Sequence, residues 1–159
     1  MKPISLWIKH ILRASDRRER IETLRKIAKA VNSDKTMIFI NTKYDLEESL
    51  QKLQYHNYNV AALAGNIDKQ SKKKAVEDFQ NGRLQYLLAT DVAARGLQID
   101  HVSTVINVNL PEEPTEYLHR AGRCGRNNEQ GLCISIITEN ELNKIKKYQK
   151  AFNINIVQQ

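Results

Sequence analysis

The chain has 159 residues, 41% of them hydrophobic, which is the length and apolar content of one domain with a real core. Lysines and arginines number 25 against 18 acids, and the net charge of +7 suits a polyanionic partner. The only cysteines, Cys124 and Cys133, match no common zinc spacing and imply free thiols in a reducing compartment; no apolar run is long enough to cross a membrane and no signal peptide heads the chain, so a cytoplasmic setting is expected.

Ser5 to Leu12 alternates loosely and predicts a strand. Ser15-Asp16 offers an N-cap to a helix with Ile21, Leu24, Ile27, Ala28 and Val31 at helical spacing, ended by Asn32-Ser33-Asp34. Thr36 to Ile40, TMIFI, reads as a strand buried on both faces. Asn41-Thr42 follow, then a helix with Leu46, Leu50 and Leu53 inward. Val60 to Leu63 is a short strand, followed by Ala64-Gly65-Asn66. Asp68 then caps a lysine-rich helix that reaches Phe79 and stops at Asn81-Gly82. Tyr86 to Ala89 is the next strand, and Thr90-Asp91 opens a short helix. Thr104 to Val108 is a strand closed by Leu110-Pro111. Pro114 suits the first turn of a helix that carries Tyr117 and Leu118 into HRAGRCGR, residues 119–126. A strand at Leu132–Ile137, a helix at Glu139–Phe152 and a short strand at Ile154–Val157 complete the chain. The alternation predicts one α/β domain over residues 1–159, its mostly parallel sheet covered by helices on both faces. In such sheets ligands gather beyond the carboxyl ends of the strands.

Three strand-to-helix junctions share a design: FI-NT-K, AL-AGNID-K and LLA-TD-V. In a parallel sheet all three would open on one edge. Helix N-termini present unpaired N–H groups that suit phosphate, and Gly65 lets a backbone come close. Asn41, Thr42, Gly65 and Thr90 are the candidates for that surface. Asn, Thr and Asp are also ordinary caps, which accounts for any one junction alone. Lys69, Lys72, Lys73 and Lys74 form a charge run of the kind that usually faces solvent.

HRAGRCGR concentrates arginine and glycine in a chain with only six glycines. A glycine inside a helix costs about 1 kcal/mol relative to alanine, so the helix should end near Gly122 and give way to a loop. Arg120 and Arg123 would neighbour each other on helical spacing. The guanidinium fork matches phosphate oxygens, and clustered arginines with glycines suit a phosphate clamp or arginine fingers.

Taken together, MIFINT, the Gly65 turn, Gln70 with Lys73, FQNG, LLATDVAARGLQI and YLHRAGRCGR closely resemble the C-terminal RecA-like domain of a DEAD-box ATP-dependent RNA helicase. The resemblance covers almost the whole chain, and the last motif is the most specific. It implies RNA backbone across Asn41, Thr42, Gly65, Lys73, Thr90, Asp91 and Gly96. It implies ATP in a cleft against a second domain, with Arg123 and Arg126 at the terminal phosphate as the catalytic arginines. Gln98, Arg95, His119 and Arg120 would bind ATP or couple the two domains. Three positions depart from the family. Gln98 replaces an aspartate that meets the ribose, keeping a hydrogen-bonding group but not the carboxylate. Lys73 replaces an arginine, keeping the charge but not the fork. Ala64 replaces a histidine.

The sequence has no G-x-x-x-x-G-K-S/T loop to cradle phosphates and no Asp-Glu dipeptide, hence no DEAD box to hold Mg²⁺. The expected function is therefore the C-terminal half of an RNA-stimulated ATPase and helicase, inactive alone. ATP and Mg²⁺ would be held only with an N-terminal RecA-like domain, and this chain would hold no metal itself. A stand-alone RNA-binding module or adaptor without ATPase activity is the alternative. A DNA translocase of the same superfamily fits less well, because His119 heads the arginine motif.

Overall fold

A computed structural model describes residues 8–64, 66–124 and 130–159. The strands are β1 (Ile8–Ala14), β2 (Thr36–Phe39), β3 (Val60–Leu63), β4 (Tyr86–Ala89), β5 (Thr104–Asn107), β6 (Gly131–Ile137) and β7 (Ile156–Gln158). The α-helices are α1 (Arg20–Val31), α2 (Lys43–Tyr55), α3 (Lys69–Gln80), α4 (Asp91–Ala94), α5 (Pro114–Ala121) and α6 (Leu142–Phe152). The strands form one sheet in the order β3-β4-β2-β5-β6-β1-β7, and every pairing is parallel.

Strand periodicity divides the core in two. Met37, Phe39, Leu87 and Val105 point to one face, where they meet Phe79 of α3, Tyr117 of α5 and Ile145 of α6. Ile38, Leu88 and Ile106 point to the other, against Leu24 and Ile27 of α1 and Leu46 and Leu53 of α2. Every residue of β2, β4 and β5 is buried. That is why these strands are continuous apolar runs rather than alternations. The result is the three-layer α/β domain that the RecA-like resemblance implies.

The register fixes where ligands can gather. Phe39 of β2 pairs with Ala89 of β4, and Leu63 of β3 pairs with the same Ala89. The three strands therefore end level and side by side. Their junctions share one edge, as the sequence pattern requires.

Four expectations need correction. Residues 1–7, including the start of the expected first strand, lie outside the described residues, and β1 runs on to Ala14. Asp16 makes no side-chain cap, because a 3-10 turn at Arg17–Glu19 precedes α1. That turn sets Arg20 to donate to the Val108 carbonyl at 2.9 Å and to Glu141 at 2.7 Å. The last helix likewise begins with a 3-10 turn at Glu139–Glu141, closed by a capping box between Thr138 and Glu141. Asn153 leaves that helix in a left-handed conformation (φ 51°), and Gln149 accepts the Ile156 N–H at 2.9 Å, so β7 starts at Ile156.

Among the described residues, no helix is long and apolar enough to cross a membrane. Both cysteines are free and buried; burial pushes the Cys133 thiol up to about 11 and raises Cys124 as well, so neither is primed as a nucleophile.

His10 on β1 is 2% exposed, with Nδ1 2.8 Å from the Tyr117 hydroxyl. Its Nε2 has no hydrogen-bond partner among the described residues. Burial lowers its pKa to about 4, so between the free value of about 6.5 and about 4 the unfolded chain binds a proton that the folded chain refuses. Stability present above pH 6.5 is lost as pH falls. The urea midpoint is expected to drop between pH 7 and pH 4.5, and His10→Gln should flatten that drop. An unchanged pH slope in the variant would assign it to other groups.

Candidate functional site

The edge formed by β2, β3 and β4 is built from helix caps. Thr42 accepts the Asp45 N–H at 3.2 Å and donates its hydroxyl to the Asp45 carboxylate at 2.8 Å. Asp68 accepts from the Ser71 N–H at 2.7 Å and hydroxyl at 3.1 Å, and these bonds hold its carboxyl below the ordinary value. Thr90 accepts the Ala93 N–H at 3.2 Å. Each cap thus has a structural role. Asn41 and Thr42 nevertheless remain exposed, and Lys43 and Lys73 stand exposed on α2 and α3. Gly65 lies outside the described residues. Gly96 is exposed with φ +81°; a Cβ there would meet nothing within 4 Å, so it is the left-handed backbone that calls for glycine.

Arg120 lies elsewhere than expected. It is 1% exposed, although the sequence motif suggests a ligand-facing or domain-coupling side chain. Its Nε donates to Asp91 Oδ1 at 2.8 Å and its Nη2 to Asp91 Oδ2 at 2.7 Å. Nη2 also donates to Asn41 Oδ1 at 2.8 Å, while Nη1 donates to the Asn109 carbonyl at 2.7 Å and to Asn107 Oδ1 at 3.3 Å. The guanidinium carbon sits 5.0 Å from the centre of the Phe39 ring. A guanidinium has five N–H groups, and each has an acceptor inside the protein. None is left for a nucleotide, so Arg120 acts as an internal tie.

Asn41 and Asp91 are the other ends of that tie. The Asn41 side chain also donates to the Leu110 carbonyl at 2.9 Å, and its backbone N–H donates to Asn109 Oδ1 at 3.0 Å. The Asp91 carboxylate is neutralised by Arg120, so it presents no free charge to repel a phosphate.

Arg123 lies two residues past the end of α5 and takes no part in the tie. It is half-buried, and its guanidinium donates to the carbonyls of Leu97 at 3.2 Å, Ala94 at 3.3 Å and Ile99 at 3.5 Å. Burial lowers its pKa, while the charges of Asp100, Asp91 and Glu116 oppose the fall. A cleft of about 180 Å³ lies between Arg123, Arg95, His119 and Glu116. Ligand pockets usually measure about 300–1,000 Å³, so this cleft can hold only part of a nucleotide. Beside it a shallow depression passes over Gln98, Leu118 and Gly122. Arginine and glutamine donors fit phosphate and ribose oxygens. Among the described residues, no group of three or more His, Cys, Asp or Glu is placed to hold a metal ion. Arg126 lies outside the described residues.

Three contributors escape a reading of motifs alone. Glu116 lies 3.4 Å from Arg95 and 3.7 Å from His119, holding both at the rim. Its i,i+3 spacing from His119 is the signal that was available. Asn107 bonds Ser135 at 3.0 Å and receives Arg120. An asparagine closing a strand buried on both faces must find partners, and that was its signal. Asn109 has no comparable one.

Comparison with known proteins bears on the family and the fold. Residues 19–128 match the model of the helicase conserved C-terminal domain. The DEAD-box ATP-dependent RNA helicase CshC of Bacillus cereus is 34% identical over 92% of this chain, which covers 38% of that protein. The chain thus spans well under half the length of that curated relative. The structure of the C-terminal domain of the DEAD-box protein Dbp5 superposes with a TM-score of 0.89 at 29% identity, over 96% of this chain and 89% of that one. Saccharomyces cerevisiae Dbp5 bound to RNA and ADP BeF3 superposes with a TM-score of 0.87 at 29% identity, over 96% of this chain and 41% of that one.

Removing Arg120 would strand the Asp91 carboxylate and two asparagines. Arg120→Ala is expected to cost about 3–5 kcal/mol in urea unfolding, the range for breaking one side of a buried pair. Arg120→Lys should recover only part, because lysine has no fork. A loss below about 1 kcal/mol, the level of an exposed ion pair, would refute the tie.

Proposed function

The chain belongs to the helicase conserved C-terminal domain family, as a RecA-like domain of the DEAD-box type, and on that premise we propose that it is the half of an ATP-dependent RNA helicase that carries RNA backbone and reaches ATP with arginines. The observation that carries this reading is the Arg120 tie. One guanidinium binds Asn41 and Asp91 of the RNA edge and belongs to the segment that bears Arg123. Movement on either surface is mechanically felt by the other.

RNA backbone would run along Asn41, Thr42, Gly65, Thr90 and Gly96, with Lys73 adding charge. Asp91 would contribute through its backbone, since its carboxylate is occupied. Arg123 and Arg126 would meet the terminal phosphate of ATP and stabilise charge as the phosphoryl group is transferred. Gln98 would hydrogen-bond the ribose. Arg95 and His119, poised on Glu116, would exchange that partner for groups of the N-terminal RecA-like domain on closure. That domain would supply the phosphate loop and the carboxylates for Mg²⁺. ATP and RNA would each favour the closed pair, so each promotes binding of the other. By this reading the domain alone has negligible ATPase activity. Likeness to Dbp5, solved with RNA and ADP BeF3, supports the two-ligand assignment. Gln98, in the place of the family's aspartate, favours the second reading, an RNA-binding module without ATPase activity.

The RNA assignment is tested by titrating single-stranded RNA and matched DNA across a salt series. Phosphate contacts predict a log–log salt slope of about −0.7 per phosphate neutralised, with little base preference from the backbone contacts. RNA should bind more tightly than DNA because of its 2′-hydroxyls. Salt-independent binding, or equal affinity for DNA, would contradict it.

A further inference from the structure

The loop after β5 runs from Val108 to Pro111. Val108, Leu110 and Pro111 are buried and Asn109 is half-buried. Buried carbonyls need donors, yet none of these four accepts a backbone N–H among the described residues. Each takes a side chain instead. Arg20 of α1 donates to the Val108 carbonyl at 2.9 Å and Arg120 of α5 to that of Asn109 at 2.7 Å. Asn41 donates to Leu110 at 2.9 Å and the Tyr148 hydroxyl of α6 to Pro111 at 2.9 Å. Four consecutive carbonyls are thus held by four separate segments.

Arg120 and Asn41 belong to the tie already described. Arg20 and Tyr148 lie outside it. Arg20 opens α1, which packs on one face of the sheet through Leu24 and Ile27. Tyr148 lies on α6, packed on the other face with Ile145. The loop is therefore gripped from both faces. It in turn sets Asn41, whose backbone N–H donates to Asn109 Oδ1 at 3.0 Å and whose side chain donates to Leu110. Tyr148 is 2% exposed, so it cannot touch RNA itself.

Resting on the RNA reading above, we infer that Tyr148 and Arg20 are positioning residues for the RNA edge. They hold the loop, and the loop holds Asn41 where the strand would meet it. A binding group keeps its geometry only when the groups behind it are themselves fixed. Holding Asn41 in place beforehand removes an ordering cost that RNA would otherwise meet on binding.

Tyr148→Phe is the cleanest test. It removes one hydroxyl, leaves the net charge alone, and keeps a ring to stack on Tyr117, whose centroid lies 5.0 Å away at 29°. Single-stranded RNA is titrated against this chain across a salt series, and heteronuclear NMR follows the Asn41 amide signals. Every variant is compared where urea unfolding shows it fully folded, so lost stability alone leaves affinity unchanged. Tyr148→Phe is expected to bind RNA roughly two- to fivefold more weakly, within the worth of one hydrogen bond. Its salt slope should match the parent, since no cation is lost. The Asn41 backbone and side-chain amide signals should shift. Arg20→Gln should shift the same signals, and Arg20→Lys should restore part of the change, because lysine keeps the donors but not the fork. If Arg20→Gln does not fold, Tyr148→Phe decides alone. Parent-like RNA affinity in Tyr148→Phe would overturn the positioning role, whether or not the Asn41 signals move. Weaker binding with unmoved Asn41 signals would overturn it too, because the effect would not pass through the loop. Absence of salt-sensitive RNA binding by the parent would remove the RNA reading itself, and the positioning role with it.

Discussion

A buried guanidinium has no water to turn to, so the protein must supply an acceptor for every N–H group. That demand organises this domain. Arg120 draws its acceptors from the loop after β2, the first residue of α4, the end of β5 and the loop that follows β5. Those segments come from three adjacent strands of the sheet, and Asn41 also joins the loops after β2 and β5 directly. Phe39 beneath the guanidinium adds an aromatic face and closes the site from the core side. Burying a charge is rarely the cheapest way to stabilise a fold. Its use here is geometric, since it fixes the edge loops relative to the segment that carries Arg123.

The same tie settles the electrostatics of the edge. A carboxylate at Asp91 would oppose phosphate if it were free. Bound in two places by Arg120 it is neutralised, and the cations beside it, Lys43 and Lys73, set the sign of the surface. Around Arg95, His119 and Arg123 the balance differs. Glu116 faces Arg95 and His119 at distances too long for strong bonds. Exposed pairs of this kind hold little energy, so a second domain could take over either side chain cheaply. Arg123 is held instead by three backbone carbonyls, which aim it without neutralising it. A fixed arginine with its charge intact is what an approaching phosphate requires.

Much of this was legible in the sequence. VAAL and YLLA form strands at their expected residues, YLLA buried throughout and VAAL buried at its two ends on the edge of the sheet. TMIFI loses only its last residue, Ile40, from the strand proper. The caps Thr42, Asp68 and Thr90 make the bonds their residue types favour. The inward turn of Arg120 was harder to see, since HRAGRCGR does not say which arginine faces the core. Helix phase contains the answer: Tyr117, Arg120 and Ala121 lie on one stripe of α5, and all three are buried. The 3-10 turns before α1 and α6 could not be read locally. They flank the pairing of Arg20 with Glu141, residues 121 apart in sequence. Asn109 is likewise a loop asparagine until the fold brings it to Asn41.

The central claim is that this domain contributes arginines to an ATP site whose other wall lies in a partner domain. ATP turnover at saturating RNA tests it most directly, measured on this chain alone and after mixing with the N-terminal RecA-like domain of the same protein. The account predicts no turnover alone, turnover on mixing, and its loss with Arg123→Ala. Turnover by this chain alone, or turnover of the mixture that Arg123→Ala leaves unchanged, would contradict it.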